Sequence, residues 1–137
     1  VWSLSNYHRS NVFFSNCVFK AAQYHPDGSQ IITGGSDKNI SFWDCGADNN
    51  DQQQLRVLEA SESGEINTLA MSEDGQYFAS GGGEKPVKLW NYDEGFCASV
   101  GTGHSQSISS VVFSPDGRNV VSASAEGAIF IWSVGAE

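Results

Sequence analysis

Short apolar runs, separated every few residues by Gly, Asp, Ser and Pro, organise this chain from end to end. Val18–Tyr24, Ile66–Ser72 and Ile108–Ser114 form one set of runs, and each leads into an Asp-Gly turn. Gln30–Gly34, Gln76–Gly81 and Asn119–Ser124 follow the turns, and Ile40–Asp44, Val87–Asn91 and Ala128–Ser133 come next, each carrying a Trp. A further run precedes each set or closes it, at Asn11–Phe14, Gln54–Glu59 and Cys97–Val100. Runs of this length and boundary chemistry predict antiparallel strands joined by tight hairpins. A sheet with one wet face alternates apolar and polar residues, but Ile129-Phe130-Ile131-Trp132 is apolar throughout. The prediction is therefore of sheets sandwiched between neighbours. No segment carries a helical stripe.

The runs repeat. Trp2, Trp43, Trp90 and Trp132 are separated by 41, 47 and 42 residues. Pro26-Asp27-Gly28, Glu73-Asp74-Gly75 and Pro115-Asp116-Gly117 each place their Asp 16 positions before the Trp, and Phe19, Ile66 and Ile108 each stand 24 before it. The unit is rigid from first strand to Trp, and all the length variation falls between units. Four short strands in about 40–45 residues is the pattern of one propeller blade.

The units resemble the WD-repeat family. Phe42-Trp43-Asp44, Leu89-Trp90-Asn91 and Ile131-Trp132-Ser133 stand where that family has its Trp-Asp pair, and Gly103-His104 where it has Gly-His. The resemblance implies an all-β fold, a WD40 β-propeller with four-stranded antiparallel blades. On that frame residues 1–14 are the end of a preceding blade with its outer strand, 15–59 and 60–101 are blades, and 102–137 is a last blade lacking its outer strand. A propeller needs about four to eight blades to close, so three are an incomplete part of a larger ring, seven being the expected number. Residues are expected to precede Val1, and Glu137 is expected at or near the end of the chain.

The resemblance also implies a His, Ser/Thr, Asp and Trp hydrogen-bond network in each blade. The matching positions are Ser15, Thr33, Asp37 and Trp43; Glu62, Ser80, Glu84 and Trp90; and His104, Ser122, Glu126 and Trp132. No blade holds the full set. Partly satisfied networks contribute little, so packing of the Trp and its neighbours is expected to hold the blades.

Composition narrows the function. Sixteen acids against 7 bases give a net charge of −9, which disfavours nucleic acid and anionic membranes, since both call for Lys and Arg in number. No apolar run approaches the length of a membrane-spanning helix. Cys17, Cys45 and Cys97 are odd in number and far apart, without the spacing of a disulfide framework or zinc site. His8, His25 and His104 add no ligand spacing. Gly34-Gly35-Ser36-Asp37-Lys38 and Gly81-Gly82-Gly83-Glu84-Lys85 fall at strand turns and lack the phosphate-loop pattern. Asn39-Ile40-Ser41 is a formal sequon at the start of a predicted inner strand. No catalytic residues, cofactor or metal are expected.

Charge is uneven: residues 44–94 hold 11 acids and 3 bases. The polar insertion between the Trp43 strand and the Gln54 strand offers Asp48, Asn49, Asn50 and Asp51 as a candidate partner-contact loop.

Longer strings, among them Gly101-Thr102-Gly103-His104-Ser105 and, outside the WD consensus, Tyr92-Asp93-Glu94-Gly95, resemble the C-terminal part of the WD-repeat cilia- and flagella-associated family of the doublet-microtubule inner junction. That resemblance implies a non-enzymatic scaffold inside the axonemal microtubule wall, part of a longer chain in a large assembly. Its implied partners are tubulin and other inner-junction axonemal proteins. A generic WD40 adaptor of a soluble centriolar, trafficking or ubiquitin-ligase complex is the alternative.

Overall fold

The computed structural model describes residues 2–3, 8–9, 17–44 and 54–134. Among them every regular element is a strand. β1 (Trp2–Ser3) and β2 (His8–Arg9) form a two-residue antiparallel ladder. That places a partner for the first strand before the expected run at 11–14, which lies outside the described residues.

The first blade runs β3 (Phe19–Tyr24), β4 (Gln30–Gly35), β5 (Asn39–Asp44) and β6 (Gln54–Glu59), hydrogen-bonded in that order. The second runs β7 (Ile66–Met71), β8 (Tyr77–Gly82), β9 (Val87–Asn91) and β10 (Cys97–Gly101). The third holds β11 (Ile108–Phe113), β12 (Asn119–Ser124) and β13 (Ile129–Ser133). All pairings within these blades are antiparallel. From β3 to β13 the strands meet the expected runs within a residue or two.

The turn chemistry explains the hairpins. At the first turn of each blade Gly28, Gly75 and Gly117 take φ of 77°, 75° and 73°, a region where a Cβ is penalised. The preceding Asp accepts the N–H two residues on, from Ser29 (2.9 Å), Gln76 (3.0 Å) and Arg118 (3.0 Å). At the second turn the left-handed position falls to Lys38, Lys85 and Gly127, one residue after Asp37, Glu84 and Glu126.

Each inner strand carries a bulge at the same place, between Phe19 and Ala21, Ile66 and Thr68, and Ile108 and Ser110. A bulge re-aims the extra residue, and here it turns Lys20 and Asn67 toward the next blade. Lys20 pairs with Glu65 and reaches Asn67 Oδ1, while Asn67 donates to the Ile108 carbonyl at 3.1 Å. Inner edges are thereby tied blade to blade.

Two buried clusters lie at the two seams between blades. The first gathers Ile32, Phe42, Ile66, Leu69, Phe78, Trp90 and Tyr92, and the second Ala79, Val87, Ile108, Val111 and Val120. Gly81 lets the second and third blades approach: a Cβ there would stand 2.7 Å from Ile108 Cγ2. On the far side of the third blade Ile129 and Ile131 are 69% and 71% exposed.

Candidate functional site

The blade network positions are brought together to different degrees. In the third blade all four are joined. Trp132 Nε1–H donates to Ser122 Oγ at 2.9 Å, Ser122 Oγ lies 2.7 Å from His104 Nε2, and His104 Nδ1 lies 3.3 Å from Glu126 Oε1. One assignment of protons satisfies the chain: Ser122 O–H donates to Nε2 of a neutral imidazole whose Nδ1–H donates to Glu126. Ser122 is fully buried and His104 stacks on Phe130 with ring centroids 4.2 Å apart.

Glu126 stands where the family has Asp, and it serves. Its carboxylate also accepts the N–H groups of Ser105 (2.8 Å) and Gln106 (3.2 Å) and the Ser124 hydroxyl. The Ser124 hydroxyl most of all, then those backbone N–H groups and His104, outweigh desolvation and hold its pKa down at about 2. A carboxylate with one more methylene still reaches every donor, so this network is complete although it lacks the family's Asp.

The other blades keep the Trp bond and lose the His. Trp90 Nε1–H donates to Ser80 Oγ and Trp43 Nε1–H to Thr33 Oγ1, each at 2.9 Å. In the second blade Glu84 accepts the backbone N–H of Glu62 at 3.0 Å and pairs with Lys88 at 2.7 Å. Burial pushes the Glu84 carboxyl up, but Lys88, the Glu62 N–H and Ser61 together outweigh it and leave it below the ordinary range. Asp37 accepts the N–H of Asn39 at 3.1 Å. Ser15 and the loop Asp48, Asn49, Asn50 and Asp51 lie outside the described residues.

Sequence reading missed the polar clasp at the first seam. Arg56, on β6, donates to the backbone carbonyls of Tyr92 and Asp93, and its guanidinium lies 4.0 Å over the Phe42 ring. Tyr92 O–H donates to Gln30 Oε1 at 2.6 Å, and His25 Nε2 lies 3.2 Å from the Gly75 carbonyl oxygen. Phe42, Phe78 and Tyr92 pack edge to face, with centroids 5.2–6.0 Å apart. The available signal was an aromatic two residues past the Trp and a His two before the turn Asp. Among the described residues no buried side-chain nitrogen or oxygen lacks a partner, and no three His, Cys, Asp or Glu side chains gather as a metal-binding group.

Comparison with known proteins agrees with this geometry. The model of the WD domain, G-beta repeat, matches residues 5–44, 52–91 and 95–133. The chain is 43% identical over 132 residues to "Cilia- and flagella-associated protein 52" of Chlamydomonas reinhardtii, covering 96% of this chain and 21% of that protein. The protein of the same name from Homo sapiens is 39% identical over 132 residues, again 96% of this chain and 21% of its own length. The chain thus spans about a fifth of the length of the curated relatives it matches. Among solved structures, "Crystal structure of RRP9 WD40 repeats" superposes with a TM-score of 0.81 at 23% identity, over 89% of this chain and 37% of that one. Repeat, blade topology and sequence agree, and this chain belongs to the WD40 repeat family.

Proposed function

We propose that these blades belong to a non-catalytic protein-interaction scaffold of the ciliary or flagellar axoneme. The proposed setting is the microtubule wall, as a microtubule inner protein at the inner junction of the doublet, with tubulin and neighbouring junction proteins as partners. The observation that carries this reading is identity of 39–43% over 96% of the chain to relatives whose name places them with cilia and flagella. The chemistry is compatible: the buried polar groups are spent on holding blades together, which suits a rigid platform for binding in loops and seams. The acidic surface disfavours the acidic tails of tubulin as a dock and favours a basic neighbour.

Imaging of the tagged full-length protein in a ciliated cell tests the reading. Signal retained on detergent-extracted axonemes is expected. A diffuse, fully extractable signal would overturn it in favour of a soluble adaptor. A purified full-length protein is also expected to show no hydrolytic turnover above buffer.

A further inference from the structure

The repeat lets the two seams be compared position by position, and they are unequal. Counting from the Trp, the turn Asp and the strand register, Ile32, Phe42 and Arg56 of the first blade correspond to Ala79, Leu89 and Ser99 of the second. Across the seam, Phe78 and Tyr92 of the second blade correspond to Val120 and Val134 of the third. At all five positions the second seam carries the smaller side chain. His25, two before its turn Asp, corresponds to Ser72.

Where the first seam holds three aromatic rings and a guanidinium, the second leaves an open cavity of about 340 Å³ lined by all five of the smaller residues. A second cavity of about 310 Å³ adjoins Val134 beside the turns. Its walls include Tyr77 and Phe113, and its rim carries Glu73, Asp74 and Asp116. The groove opens along β10, where Ser99 and Val100 are exposed. Folded interiors close-pack, so side-chain loss on both sides of one seam and not the other leaves space of a defined shape.

We propose that the seam between the second and third blades is a docking groove for a segment of another polypeptide bearing arginine beside an aromatic residue. The first seam is the internal precedent for what such a space accepts. There a guanidinium lies flat on aromatic and apolar walls and donates to backbone carbonyls. In the second seam the walls are apolar, and the adjoining cavity is lined by Glu73 and by the turn carboxylates Asp74 and Asp116. Apolar walls with an acidic rim select a basic, ring-bearing segment over an acidic one. This inference rests on the reading of the chain as an interaction scaffold and names the chemistry of one partner.

The test uses the purified full-length protein, with the peptide acetyl-Gly-Arg-Tyr-Arg-Gly-amide as probe and its Arg→Glu counterpart as control, in calorimetric titration. The arginine probe is expected to bind and the glutamate control not. Ser99→Arg supplies the guanidinium from within and is expected to weaken probe binding by about tenfold or more. Glu73→Gln, on an exposed side chain with the fold untouched, is expected to weaken it about threefold at low salt. Equal binding of both peptides, no binding of either, or binding unchanged by both substitutions would overturn the groove. Axonemal retention of the tagged wild-type protein is read separately: its loss with probe binding intact overturns only the ciliary setting, and its persistence without probe binding overturns only the groove.

Discussion

Removing one hydroxyl in the third blade tests whether its network holds the sheet. Ser122 is fully buried, and its Oγ accepts from Trp132 Nε1 at 2.9 Å while facing His104 Nε2 at 2.7 Å. Ser122→Ala leaves both partners unpaired. A buried polar group without a partner costs about 1–3 kcal/mol. His104 is 7% exposed and bears the full cost, whereas Trp132 is half-buried and water relieves part of its loss. The sum is about 2–4 kcal/mol. In the second blade Ser80→Ala strands only Trp90 Nε1, so its cost is about 1–2 kcal/mol.

Local stability is the quantity to measure, since a multi-blade protein need not unfold in one step. Hydrogen exchange of peptides spanning β12 and β13 reads it in the full-length protein. At tenfold per 1.4 kcal/mol, Ser122→Ala should speed the slowest β12 amides by about thirty- to several-hundred-fold. A double-mutant cycle with His104→Phe, which keeps a ring stacked on Phe130, should show the second substitution costing about 1 kcal/mol less than alone. Exchange no faster than for Ser80→Ala, or strictly additive costs, would refute the network.

Arg56→Ala removes two bonds to carbonyls and two ring contacts, to Phe42 and across the seam to Tyr92, and should cost about 2–3 kcal/mol by the same exchange measurement. Because its acceptors are carbonyls, that loss should persist in high salt. Lys85→Gly relieves a φ of 82° at a position where the third blade already has Gly127, and calorimetry should show a gain of about 0.5 kcal/mol. Glu126 is held at about 2 against an ordinary 4.5. A depressed acid stabilises fully above its unfolded pKa, so third-blade protection should hold above pH 4.5 and erode as pH falls from 4.5 to about 2. Glu126→Gln should flatten that dependence in exchange measured across the same range.

The strands were legible because their causes are local. Asp-Gly turns fix the register of the first hairpin in each blade, and Tyr77–Gly82 and Asn119–Ser124 need only those turns and an apolar run to be placed. The bond from each Trp to the Ser or Thr ten residues before it follows from an offset that every unit keeps. The outcome at Glu126 was not legible: whether a longer carboxylate reaches its donors depends on the loop geometry of Ser105 and Gln106. Arg56 was invisible for a stronger reason. Its acceptors lie 36 and 37 residues away in the next blade, and a periodic sequence displays what each unit repeats, not how one unit complements its neighbour. Aligning unit against unit, one seam at a time, would have exposed it.

That distinction bears on how the blades share load. Both seams have bonds between inner strands, through Lys20 to Asn67 and Glu65 at the first and Asn67 to Ile108 at the second. Away from the inner edge the first seam adds a guanidinium clasp and the Tyr92–Gln30 bond, while the second adds neither of their equivalents, since Ser99 and Val134 stand in those places. Blades tied only near the ring's axis separate by rotation about that edge, at the cost of apolar contact alone. The third blade compensates within itself: it is the one with a complete His104–Ser122–Trp132 network, next to the weaker seam. The stiff third blade fixes one wall of the groove, Val120, Trp132 and Val134, and rotation of the second blade about the inner edge sets the groove's width for a docked segment.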